Sequence, residues 1–292
     1  MKGPTTLSFS VQNDFLPRHE RRPGAQISAE RMLALVIWSL GLVVLPDGRR
    51  AQIFKNEGAI VEYIQSRVTE LATAAIASKG AFSLSIGSGT TVKPLVQLGS
   101  SGIDWTRVHV FFGNERTEGD AAGKCFSGAA EFVETCGVPA ANVHRVPSLA
   151  AEEAAKAYEA TVSGVPSHVV GTCARSGLPA LDLVLLGSGA DGHCASLYPK
   201  STQVLCSPGS ERMYLPAEGK GGITLSVDAI SSARHVLLSA GKPAQADMVR
   251  KCLGWSNAAT NQALPAGMIT AHPETEVEWL LTELSAVELP AL

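Results

Sequence analysis

From residue 51 onward, short apolar runs alternate with longer segments in which apolar residues recur every three or four positions. "AQIF", "AFSLSIG", "RVHVFFG", "LDLVLLG", "GITLSV" and "RHVLLSAG" read as strands, and "EVEWLL" near the C-terminus reads as a last one. Between the first two, Ile60, Ile64, Val68, Leu71 and Ala75 fall on one face of an amphipathic helix that Gly80 ends. "TVKPLVQLG" reads as a further helix, and "SGVPSHVVGTCARSGLP" (163–179) as a flexible connection. Strands spaced by helices predict an α/β fold: a mainly parallel, Rossmann-like sheet with helices on both faces. In such sheets ligands bind beyond the carboxyl ends of the strands, so the loops after 86, 112, 187 and 240 are where chemistry is expected.

The first 50 residues do not follow this alternation. "RHERRPGAQISAERMLALVIWSLGLVVLPDGRR" carries basic flanks around an apolar run from Met32 to Leu45, 14 residues long. That is short for a membrane span. It would suit a signal-peptide core, but the preceding stretch is long for an n-region and no small-residue cleavage site follows. The expected organisation is an N-terminal extension, 1–50, followed by an α/β domain, 51–292. A buried extra helix, a transit segment or a peripheral tail all remain open for the extension.

Composition narrows the function classes. The chain has 292 residues, 45% hydrophobic and 17% charged, enough for a substantial core. A net charge of −3 gives no general reason to bind nucleic acid, though a local basic pocket for a small anion is compatible with it. The six cysteines form no CxxC pair and no histidines cluster near them. Neither a zinc site nor a disulfide framework is expected, and reduced thiols in a cytosol-like compartment are the simpler reading.

Four loops hold the candidate chemistry. In "SIGSGTTVKPL", Gly87 and Gly89 allow a tight turn, Ser88, Thr90 and Thr91 supply hydroxyls, and the following helix would present free N–H groups. The loop suits a phosphate, or simply joins a strand to a helix; it is neither a Walker A loop nor GxGxxG. In "FFGNERTEGD", Arg116 could clamp an anion or pair at the surface with Glu115 or Glu118. In "LDLVLLGSGADGHCASLYP", Gly187, Gly189 and Gly192 turn the chain out of a strand and place His193 in the expected first turn of a helix. A helix dipole there would disfavour imidazolium, leaving a neutral ring able to act as general base, with Asp191 orienting it or capping the helix. In "LLSAGKPAQADMVRKCL", Lys242 could reach an anion or stand in solvent. His109 and His235 read as structural.

"GSGADGHCASLYP" closely resembles the Gly-x-Gly-x-Asp-Gly-His-Thr-Ala-Ser-Leu-Phe-Pro signature of 6-phosphogluconolactonases. "FSLSIGSGTTVKPL" resembles that family's phosphate loop, "VFFGNER" its Asp-Glu-Arg segment, "ITLSVDAISSARHVLLSAGK" its later strand and lysine segment, and "LPAGMITAHPETEVEWLLTE" its closing stretch. The resemblance covers about residues 51 to 288 and implies the sugar-phosphate isomerase/lactonase superfold. It implies hydrolysis of 6-phospho-D-glucono-1,5-lactone in the oxidative pentose phosphate pathway, with no metal and no cofactor. His193 would be the general base, Arg116 and Lys242 would bind phosphate or steady developing charge, and the 87–91 loop would cradle the phosphate. The expected partner is the small sugar-phosphate lactone, with no nucleic acid and no membrane, in a monomer or weak homodimer. The expected compartment is the cytoplasm, with organelle targeting through residues 1–50 as the alternative.

The sequence departs from the pattern in several places. Asn114 stands where the family has Asp, Val92 replaces the phosphate-loop proline, and Ser88 and Thr90 replace a glycine and a serine. The family's Ser-Asn pair is not recognisable in "TEGDAAGKCFSG", and Gly222 stands where an arginine is common. Glucosamine-6-phosphate deaminases or isomerases share the Asp-Gly-His but continue with Ala-Phe-Asn-Glu-Pro where this chain has "CASLYP". They form the alternative enzyme reading. A degenerate, non-catalytic sugar-phosphate binder forms the other.

Overall fold

The computed structural model describes residues 41–217, 219–254 and 264–289. Its centre is a seven-stranded sheet in the order β1-β2-β12-β11-β8-β3-β4. These strands are β1 (Leu42–Val44), β2 (Arg50–Phe54), β3 (Phe82–Ile86), β4 (Val108–Phe112), β8 (Leu183–Gly187), β11 (His235–Ala240) and β12 (Glu276–Thr282). Every neighbouring pair from β2 to β4 is parallel, and only β1 runs antiparallel, to β2.

The parallel strands are buried on both faces, which explains their unbroken apolar runs. In β8, Leu183 and Leu185 join one core, whereas Val184 and Leu186 join the other. The first core is covered by α1 (Glu57–Lys79) and α2 (Lys124–Cys136). The second is covered by α3 (Ala151–Ser163) and, further along, α6 (Ala246–Leu253). Each fully buried Leu or Val contributes about 1.5–3 kcal/mol, so the central strands anchor the frame on which the loops stand. α1 follows the predicted periodicity, with Ile60, Ile64, Val68 and Leu71 buried, Asn56 as its N-cap and Gly80 ending it at φ +82°.

Four local expectations change. Residues 42–44 already belong to the sheet, so the sheet begins nine residues ahead of the boundary drawn at 51; residues 1–40 of the expected extension lie outside the described residues. "TVKPLVQLG" is a 3-10 helix, Lys93–Ser100, rather than an α-helix, with Pro94 in its first turn. "GITLSV" is a strand, but it leaves the parallel sheet: β10 (Gly222–Leu225) sits between β5 (Asn114–Arg116) and β9 (Tyr214–Ala217) in a separate antiparallel sheet. The 163–179 connection contains part of a small ribbon, β6 (Gly171–Thr172) with β7 (Pro179–Ala180), so it is partly ordered. The remaining short helices are α4 (Thr202–Leu205), α5 (Val227–Ile230) and α7 (Pro265–Met268).

His109 lies within β4, and its Nδ1 is 3.1 Å from Nε2 of His144, whose ring stacks on Phe111 at 4.3 Å. One nitrogen must donate and the other accept, so the bond requires an unprotonated acceptor. Burial, reinforced by His109, pushes His144 down to about 4. Burial, then His168 and Lys79, lowers His109. Because the folded values are depressed, the pair favours the folded state above about pH 6.5, and that share is lost as pH falls toward 4. Urea unfolding at pH 7 and 4.5 will show the parent losing about 1–2 kcal/mol more than His144→Gln, a figure discounted for the partial exposure of the rings.

Candidate active site

The loops after β3, β4 and β8 converge on one cavity of about 290 Å³. It opens at the carboxyl ends of the strands, where β3 and β8 are neighbours but their chains depart toward opposite edges of the sheet. That is the topological switch point at which a doubly wound sheet leaves a crevice.

His193 stands at the rim, and its loop is not a helix. Ser188 and Cys194 bridge antiparallel, the Gly189 N–H donates to the His193 carbonyl at 2.9 Å, and the Gly192 N–H donates to the Gly189 carbonyl at 3.0 Å. Gly192 closes this turn at φ +85°, and the next helix, α4, begins only at Thr202. The expected helix dipole at His193 is therefore absent, and with it the argument that the dipole disfavours imidazolium. Orientation comes instead from Asp191: its Oδ1 lies 2.6 Å from His193 Nδ1 and 3.2 Å from the His193 backbone nitrogen. Burial pulls the Asp191 carboxyl up, but the bonds from the His193 ring and backbone outweigh it and hold it below the usual carboxylate range. An ionised Asp191 accepts a hydrogen bond from Nδ1–H, so Nε2 is left as the unprotonated acceptor. The ring stacks on Tyr198 at 4.8 Å, and its side chain is 33% exposed, enough to meet a ligand.

Arg116 comes from the other sheet. It ends β5, and its Nη1 donates to the Lys220 carbonyl at 2.7 Å, at the tip of the β9–β10 hairpin. The expected pairing with Glu115 or Glu118 is not found. Glu115 is buried and accepts the N–H groups of Arg116, Cys125 and Phe126 at 2.8–2.9 Å. It thereby joins β5 to the first turn of α2. Gly222 is required here, because a Cβ would lie 2.0 Å from the Glu115 carbonyl oxygen. The two sheets are tied across the cavity by Asn114, whose Nδ2 donates to Ser196 Oγ at 3.0 Å.

Of the expected phosphate loop, Gly87, Ser88 and Thr91 line the cavity, whereas Gly89 and Thr90 do not. Gly89 serves the turn, at φ +90°. Lys242 also lies outside the lining; it is exposed and precedes a 3-10 helix, Pro243–Gln245. Its backbone N–H donates to Gln245 Oε1, and Gln245 Nε2 donates to the Ser188 carbonyl at 2.6 Å, so this segment braces the His193 loop. Lining residues that sequence reasoning did not single out include Lys124, Cys125, Ser196 and Tyr198. Ser196 and Tyr198 lay within the quoted histidine stretch, whereas nothing in the sequence marked Lys124. Burial, and then Glu115, pushes the Cys125 thiol up to about 12, so it stays protonated and is no nucleophile. Among the described residues, no group of three or more His, Cys, Asp or Glu is arranged to hold a metal ion.

Residues 55–279 match the family described as glucosamine-6-phosphate isomerases/6-phosphogluconolactonase. The chain belongs to that family. Among members of the family, the 6-phosphogluconolactonase of Synechocystis sp. is 30% identical over 251 residues, covering 82% of this chain and 98% of that protein. A protein of Arabidopsis thaliana named 6-phosphogluconolactonase 3, chloroplastic, is 29% identical, covering 83% and 76%. The family fold is also that of the solved 6-phosphogluconolactonase from Trypanosoma brucei, with a TM-score of 0.66 at 22% identity over 82% of this chain and 98% of that one. Against this family background, Asp191 and His193 sit in the Asp-Gly-His segment, and Arg116 in the Glu-Arg segment.

Proposed function

We propose that the chain hydrolyses 6-phospho-D-glucono-1,5-lactone to 6-phospho-D-gluconate in the oxidative pentose phosphate pathway, with His193 as general base. Nε2 of His193 takes a proton from water as its oxygen attacks the lactone carbonyl. The tetrahedral intermediate collapses by breaking the bond from C1 to the ring oxygen, and the imidazolium returns the proton to that oxygen. Asp191 holds the ring by Nδ1 and stabilises the imidazolium while it exists. Arg116 and the Gly87, Ser88 and Thr91 segment take the phosphate. Gly89 and Thr90 serve the shape of that loop, and Lys242 is left out of the phosphate site.

The observation that supports this reading is His193, held at Nδ1 by Asp191, lining the same cavity as Arg116 and the hydroxyl-rich loop. An isomerase needs a carboxylate base for a carbon-bound proton, and among the described residues no Asp or Glu lines this cavity. The deciding experiment is an initial-rate measurement on freshly prepared lactone against an enzyme-free control, because the lactone also opens spontaneously. Turnover above the control supports the lactonase; binding of 6-phosphogluconate without turnover supports the non-catalytic binder.

The partner is the small sugar-phosphate lactone, and we assign the protein to the cytoplasm as a monomer or weak homodimer. Among the described residues, no helix is long and apolar enough to cross a membrane. Fluorescent fusions with and without residues 1–40, a truncation that leaves β1 and β2 whole, are expected to distribute alike; concentration of only the longer fusion in an organelle would establish the targeting alternative instead.

A further inference from the structure

Arg116 and Lys124 line the same cavity. Among the described residues, neither side chain has a carboxylate within 4.0 Å. Glu115, adjacent in sequence to Arg116, is buried, and its two oxygens are occupied by three backbone N–H groups. Lys124 is also the first residue of α2, a helix of 13 residues with no acidic side chain in its first turn. The first-turn N–H groups of α2 are not free, because the Glu115 carboxylate accepts from Cys125 and Phe126 and so caps the positive helix end. Two cationic side chains thus line the cavity without a carboxylate partner of their own, because Glu115 is spent on backbone N–H groups. The Ser88 and Thr91 loop reaches the same place: Ser88 lies against Gly128, one turn into α2. A dianion completes such a set by charge and by hydrogen bonding.

We propose that Lys124 is a specificity-determining residue: its ammonium pairs with the phosphate of the substrate, beside Arg116, and selects phosphorylated over unphosphorylated lactones. The inference rests on the lactonase reading above and adds a ligand to that site. The geometry separates this role from the chemistry at C1. Lys124 is carried by α2 and the β5 side of the cavity, whereas His193 is carried by the loop after β8. Lys124 is exposed, and its own hydrogen bond to Ala121 is made by its backbone. Its side chain is therefore replaceable without disturbing the core.

The test compares the parent with Lys124→Met and Lys124→Arg on two substrates, 6-phosphogluconolactone and unphosphorylated glucono-1,5-lactone. In Lys124→Met, KM for the phosphorylated lactone is expected to rise about ten- to thirtyfold, as for a lost charge-assisted bond, with kcat changed by less than about threefold. The kcat/KM for the unphosphorylated lactone stays within about twofold, and Lys124→Arg recovers most of the loss. The thermal midpoint holds, because the Lys124 side chain is exposed. An unchanged KM, or an equal loss on both lactones, overturns the proposal. Calorimetric titration with 6-phosphogluconate separates its failure from that of the function: should the parent turn over neither lactone, the lactonase reading fails. The Kd then decides alone, a tenfold weakening in Lys124→Met upholding the ligand assignment and an unchanged value overturning it.

Discussion

His193→Ala lowers kcat on 6-phosphogluconolactone by about 10²–10⁴, the range that a positioned general base supplies. The loss falls on kcat more than on KM, because the groups proposed to hold the phosphate belong to other elements: Arg116 to β5, and Ser88 and Thr91 to the segment after β3. The fold tolerates the change. The ring is one-third exposed and its partners are Asp191 and Tyr198, so the thermal midpoint is expected to move by only a few degrees. Asp191→Asn, which keeps the shape but removes the charge facing the imidazolium, is expected to fall between the parent and His193→Ala. Retention of more than a tenth of the parental kcat by His193→Ala would remove the imidazole from the mechanism.

Gly189→Ala is expected to cost nearly as much activity without touching a reacting atom. A Cβ at 189 would lie 2.2 Å from His193 Nδ1, 2.3 Å from its Cε1 and 2.4 Å from Asp191 Oδ1. No side-chain atom fits at those distances, so the imidazole–carboxylate pair must leave its place or the turn must open. Gly189 does not have the left-handed φ of Gly192, so space and not backbone conformation makes it a glycine. Kinetics should show kcat reduced about a hundredfold or more, since a misplacement of about 1 Å already costs that much in a positioned site. Calorimetry should show 6-phosphogluconate binding with near-parental Kd, and unfolding should show a loss of about 1–3 kcal/mol. A parental kcat would mean that the ring's place above Gly189 is irrelevant to turnover.

Much of this architecture was legible from the sequence because its signals are local. The apolar runs of β3, β4, β8, β11 and β12, together with the 3.6-residue period of α1, report elements that are buried on both faces or on one stripe. The glycines of 187–192 correctly announced a sharp turn before the histidine, but not its kind. Three glycines allow a helix start or a bridged turn, and the Ser188–Cys194 bridge that decides between them is a tertiary outcome. The antiparallel sheet of β5, β9 and β10 was invisible for a similar reason. "GITLSV" has the same pattern whichever sheet receives it, and the register of Gly222 opposite Arg116 depends on segments far apart in the chain. Lys124 escaped notice because the turns after β5 carry it back to the cavity, and spacing in "RTEGDAAGK" does not reveal that return. Lys242 follows the end of β11 as the sequence indicates, but it stands outside the cavity lining, and it is Gln245 that reaches inward, to the Ser188 carbonyl.

The guanidinium proposed to meet the anion is steadied by a peptide oxygen, at position 220, rather than by a side chain. Every amino acid carries that oxygen, so substitution at 220 leaves the orientation of Arg116 intact, whereas Gly222 two positions on admits no replacement. Relatives that differ at 220 can therefore share one grip on the ligand. The Lys220 side chain itself lies over the Tyr198 ring at 5.1 Å, so an environment-sensitive dye attached at the hairpin tip would register ligand arrival through a ring that stacks on His193.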